Sequence, residues 1–86
     1  MKKSIHTPEY ECFTRLLRKT REEAGLTQVE LAAALGQSQS FVCKAEIGER
    51  RLDIIQLRTL LAALKVTLPE FVRKLEKELS RGSKGG

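Results

Sequence analysis

Histidine is all but missing from this chain: His6 stands alone among 86 residues. With no cluster of His, Cys and acidic residues at ligand spacing, no metal site is expected. The cysteines, Cys12 and Cys43, lie far apart and outside any pairing motif. They read as free thiols in a reducing compartment. No long apolar run is present, so no membrane span is expected. The opening MKKSIHTPEY has no apolar segment behind its lysines, which argues against a signal peptide and makes the cytoplasm the expected location. Paired buried carboxylates and a Gly-rich phosphate loop are also lacking, so the sequence offers no catalytic constellation and no cofactor site. Aromatics reduce to Tyr10, Phe13, Phe41 and Phe71. The core must therefore be built from Leu, Ile, Val and Ala, a composition that suits packed helices.

What is present is ordinary for one small domain: 41% hydrophobic residues within 86. A chain of this size buries only about 60 to 65% of its unfolded surface, so its stability is modest. Positive charge exceeds negative, 16 Lys and Arg against 11 Asp and Glu, for a net +5. That balance favours a polyanionic partner, nucleic acid before membrane.

Periodicity and capping signals divide the chain into five helices, with no strand pattern and no repeat. Residues 1–6 are expected to be flexible. Thr7-Pro8-Glu9 opens the first helix, since Pro at the first helical position loses no hydrogen bond. Tyr10, Phe13, Leu16, Leu17, Thr20 and Ala24 form its inner face, and Gly25 stops it. Thr27-Gln28-Val29-Glu30 is a capping box for a second helix reaching Leu35, with Leu31 and Leu35 inward. Gly36 supplies the sharp turn. Ser38 caps a third helix from Gln39 to about Ile47, with Val42 and Ala45 inward and Phe41 at the margin. On its other side stand Gln39, Ser40, Cys43 and Lys44. Asp53 with Gln56 opens a fourth helix that turns Ile54, Leu57, Leu60, Leu61 and Leu64 inward. Thr67-Leu68-Pro69-Glu70 opens a fifth, with Phe71, Val72, Leu75 and Leu79 as its stripe. The domain is thus expected over residues 7–79, with a disordered Gly- and Ser-rich tail over 80–86.

From Arg21 to Phe71 the residues resemble the Cro/C1-type helix-turn-helix family, also called the xenobiotic-response-element family. The likeness is carried by Arg21, Gly25-Leu26-Thr27-Gln28, Glu30-Leu31-Ala32, Leu35-Gly36, Gln39-Ser40, Val42, Glu46 and Gly48. It implies an all-α, compact five-helix domain of the lambda-repressor-like type, whose third helix lies in the major groove of double-stranded DNA. It also implies a phosphate contact from Gln28, base or phosphate contacts from Gln39, Ser40 and Lys44, and an internal salt bridge between Arg21 and Glu46. Two positions depart from the usual pattern, Cys43 and the small Ala45. The smaller side chain either loosens the packing beneath the third helix or leaves room that Phe41 fills.

Physical chemistry agrees with these roles. A glutamine at the start of a recognition helix, as Gln39 is, can pair bidentately with adenine. Lys44 can donate to guanine or phosphate, and Ser40 to either class of acceptor. Helix starts such as Gln28 and the Ser38 cap attract phosphate oxygens. Arg50 and Arg51 either reach the DNA backbone from the following loop or act as plain solvating charges. Cys43 reads as an inert small residue rather than a redox sensor. The stripe Leu68, Phe71, Leu75 and Leu79 has two expected uses: its first half closes the domain core, and its second half extends past what a five-helix body covers, which suggests a homodimer with Phe71, Leu75 and Leu79 as its contacts. One recognition helix reads only about 4 to 6 base pairs, so two half-sites restore specificity.

The expected function is a sequence-specific regulator of transcription, a homodimeric repressor or autoregulator on a palindromic operator. No separate ligand domain is apparent, so control is expected through the protein's own concentration. The alternative is an antitoxin that binds a partner toxin and represses its own operon, with a face such as that of Tyr10 and Cys12 taking the partner.

Overall fold

The computed structural model of the chain describes residues 7–85, with side chains through Arg81. Five helices run in order: α1 Pro8–Glu23, α2 Gln28–Leu35, α3 Gln39–Glu46, α4 Ile54–Ala63 and α5 Leu68–Gly85, with no strand among the described residues.

Each start is set by a side chain that takes an otherwise unpaired backbone N–H. Thr7 accepts from the Tyr10 N–H at 3.1 Å, with Pro8 following in the first turn. Thr27 and Glu30 close a reciprocal box at 3.1 and 2.9 Å, and Asp53 with Gln56 closes another at 2.7 and 3.0 Å. Thr67 and Glu70 do the same before α5. Ser38 caps α3 through the Phe41 N–H at 3.2 Å. Each such cap contributes about 1 kcal/mol.

Gly36 ends α2 at φ 66°, a left-handed conformation that L side chains rarely adopt, and this allows the sharp turn into α3. The turn after α4 reaches the same conformation without glycine: Lys65 has φ 62°. Its N–H reaches the Ala62 carbonyl at 3.0 Å while the Val66 N–H reaches Leu61, an end motif that usually recruits glycine.

The core is Leu16, Leu17, Leu31, Ala32, Val42, Leu57, Leu60, Leu61, Leu64 and Phe71, with Phe13, Leu35, Phe41 and Leu75 packed at its edge. Ala45 is buried beneath α3, and Phe41 leans on the core from the margin. The all-α, five-helix expectation holds.

Several finer expectations do not. Phe71 is 1% exposed and belongs to the core, so it is no dimer contact; truncating it to Ala would cost about 3–5 kcal/mol. Val72, one helical step round from Phe71, falls off the apolar stripe and is exposed. Ile54 occupies the first position of α4, before inward packing begins at Leu57, and it too is exposed. Ala24 is the exposed cap residue of α1 rather than part of its inner face. Helix α5 continues past the expected boundary at residue 79 as far as Gly85. Residues 1–6 and 86 lie outside the described residues.

Candidate nucleic-acid interface

The α2–turn–α3 pair packs by burying Leu31 and Ala32 of α2 against Val42 and Ala45 of α3, with Leu16 and Leu17 of α1 beneath. This leaves Ser38, Gln39, Ser40 and Lys44 exposed on one side of α3, while Gln28 and Cys43 are half-buried. Cys12 and Cys43 are free thiols.

Beneath that face lies a hydrogen-bonded chain. Arg21 donates through Nε to Glu46 Oε2 at 2.6 Å and through Nη2 to Oε1 at 3.1 Å. Both side chains are buried, 9% and 3% exposed. The Glu46 carboxylate raises the already high affinity of the Arg21 guanidinium for its proton, chiefly through this side-chain hydrogen bond. Nη1 of Arg21 also donates to the Leu26 carbonyl at 2.8 Å, tying the loop between α1 and α2 to the same centre.

From Glu46 the chain reaches the surface. Gln28 Nε2 donates to Glu46 Oε1 at 3.0 Å, and Gln39 Nε2 donates to Gln28 Oε1 at 2.8 Å. The direction is fixed from the inside. An ionised carboxylate only accepts, so Gln28 must offer its amide nitrogen, which leaves its oxygen for Gln39. Gln39 retains an amide oxygen and a second N–H. Adenine recognition in the major groove requires that pair of groups.

The loop after α3 is held close to the helix. Gly48 takes φ 84°, and the N–H groups of Glu49 and Arg50 both donate to the Lys44 carbonyl, at 2.9 and 3.1 Å. The two loop arginines then part. The Arg50 guanidinium lies over the Phe41 ring, Cζ 5.1 Å from its centroid, and that of Arg51 lies over Tyr10 at 4.9 Å. Such stacking limits the freedom of long cationic side chains without neutralising them.

Of the residues expected to touch DNA, Ser38, Gln39, Ser40 and Lys44 are exposed on α3 and its cap, and Arg50 and Arg51 are exposed on the loop that follows, Arg50 over Phe41 of α3 and Arg51 over Tyr10 of α1. Gln28 stands one layer behind Gln39, with its amide engaged on both sides. The roles of Tyr10 and Phe41 as arginine platforms had no sequence signal, because an aromatic residue at a helix margin reads only as packing. Leu75 and Leu79 of α5 are half-buried. Among the described residues no group of three or more His, Cys, Asp or Glu side chains gathers to hold a metal, and no helix is long and apolar enough to cross a membrane.

Comparison with known proteins places these features. Residues 17–71, more than half of the chain, match the helix-turn-helix family model. The control protein C.MunI of a Mycoplasma species is 31% identical over 67 residues, which span 77% of this chain and 90% of that protein. Among solved structures, an XRE-family-like protein from Pseudomonas syringae pv. tomato str. DC3000 is 42% identical with a TM-score of 0.77, covering 85% of this chain and 89% of that one. A single-residue mutant of the restriction-modification controller protein C.Esp1396I is 26% identical with a TM-score of 0.79, covering 85% and 97%.

Proposed function

The chain belongs to the Cro/C1-type helix-turn-helix family of DNA-binding transcriptional regulators, and from that premise we propose that it is a sequence-specific repressor that controls its own expression as a homodimer on a palindromic operator. The observation that carries the reading is the exposed end of α3, where Gln39 is exposed and held by Gln28, with its amide oxygen and a second N–H left over.

In this account Gln39, Ser40 and Lys44 meet base edges or the phosphates beside them. Ser38, Gln28, Arg50 and Arg51 serve the backbone. Phosphate contacts supply affinity that falls with salt, and base contacts supply choice. A single α3 reads too few base pairs to specify a site, so a second copy places a second α3 about 34 Å away, one helical turn along the duplex. Leu75 and Leu79 of α5 remain the proposed dimer contacts. Two relatives, a control protein and a restriction-modification controller, favour a controller over an antitoxin.

Binding to the DNA immediately upstream of the protein's own coding sequence tests autoregulation. A salt-sensitive complex with two protomers per duplex is expected. Equal affinity for that segment and for unrelated DNA would refute it.

A further inference from the structure

Tyr10 has no role in the scheme above, yet it joins the core to the loop beyond α3. Phe71 is fully buried, and the Phe13 ring meets it edge-on, centroids 5.9 Å apart. Tyr10 packs on Phe13 at 5.2 Å, and the Arg51 guanidinium lies 4.9 Å from the Tyr10 centroid. Three rings thus form a column that starts on α5, passes through α1 and ends under an arginine of the α3–α4 loop. That loop is itself fastened to α3 through the Lys44 carbonyl, one residue before Arg51. Arg50, the neighbour, is seated the same way on Phe41.

The Tyr10 hydroxyl is buried beside the Leu52 backbone, next to Arg51 in the loop; burial raises its affinity for its proton, and the Arg51 charge and the Leu52 backbone partly offset that. The useful part of the side chain is the ring. A guanidinium held over a ring is restricted in position, and a side chain so held has less freedom to lose when it meets a partner.

We propose that Tyr10 is a positioning residue for DNA-backbone binding: its ring, braced through Phe13 on Phe71, holds Arg51 in the orientation from which the guanidinium takes a phosphate. This rests on the DNA-binding reading given above. It assigns the first turn of α1, remote in sequence from the helix-turn-helix, a part in affinity but none in base choice.

The test is a double-mutant cycle of Tyr10→Leu and Arg51→Ala, with duplex affinity measured across a salt series and thermal melting followed for each variant. Arg51→Ala should lower the slope of log affinity against log salt by about one. Tyr10→Leu should weaken binding about two- to fivefold, alike on operator and unrelated duplexes. In the Arg51→Ala background it should have no further effect. Tyr10→Phe keeps the ring and should bind as the parent does. Should Tyr10→Leu fail to melt cooperatively, Arg51→Lys keeps the charge but not the flat stack, and should lose affinity while keeping the salt slope. Equal effects of Tyr10→Leu with and without Arg51 would overturn the positioning role. So would a Tyr10→Phe protein as weak as Tyr10→Leu, or an Arg51→Lys protein as tight as the parent. Absence of duplex binding by the parent would overturn the DNA-binding reading and the positioning role together.

Discussion

Gln39 and Gln28 are joined amide to amide at 2.8 Å, and Gln28 is in turn fixed to the buried carboxylate of Glu46. The orientation of an exposed side chain is therefore determined by an ion pair in the interior. Gln39→Ala and Lys44→Ala should each weaken operator binding by about 1–3 kcal/mol while leaving the melting temperature unchanged. Gln28→Ala should reproduce part of the Gln39 loss, and the two glutamine changes should combine to less than their sum. Duplex titrations of the single and double variants measure this coupling.

The Arg21–Glu46 pair is a second point of attack. Removing one member leaves the other charged and buried, so Glu46→Ala should destabilise the domain by about 3–5 kcal/mol. For a domain of this size that is a large share of total stability. Urea unfolding checks it, and a loss below 1 kcal/mol would mean that water reaches the stranded guanidinium.

Lys65 adopts a left-handed backbone conformation that glycine adopts at less cost. Lys65→Gly should therefore stabilise the protein by about 0.5–1 kcal/mol in denaturant unfolding, with duplex binding unaltered because the residue lies between α4 and α5.

Glu70 provides a pH signature. Its hydrogen bonds to the Thr67 backbone and hydroxyl, aided by the charges of Lys74 and Arg73, hold its carboxyl below the usual glutamate range. The folded form thus releases this proton more readily than the unfolded chain. The resulting stabilisation is present above the carboxyl's unfolded value and is lost as pH falls through the lower, folded value. Glu70→Gln should remove this part of the acid limb, so that thermal melts of the two proteins converge as pH drops.

Much of this was legible in the sequence because it is local. Capping boxes at Thr27 and Asp53, the glycines at positions 25 and 36, and the apolar spacing all act within a few residues. The exposed face of α3 followed from the same spacing. Long-range geometry was not legible. Nothing adjacent in sequence signals that Tyr10 carries Arg51 or that Gln28 stands between Glu46 and Gln39. Where the α5 stripe passes from core to dimer face, on either side of Phe71, is not legible either, because a stripe on one helix does not reveal how many of its members the neighbouring helices cover. The left-handed turn at Lys65 has no sequence signal, because a turn made without glycine leaves no mark in composition.

The central claim is that α3 reads duplex DNA by sequence, and selection of bound duplexes from a random pool tests it most directly. The account predicts enrichment of an inverted repeat whose half-sites lie about 34 Å apart, with enrichment lost for the Gln39→Ala protein. A pool that stays random after repeated rounds, or a site enriched equally well by Gln39→Ala, would contradict it.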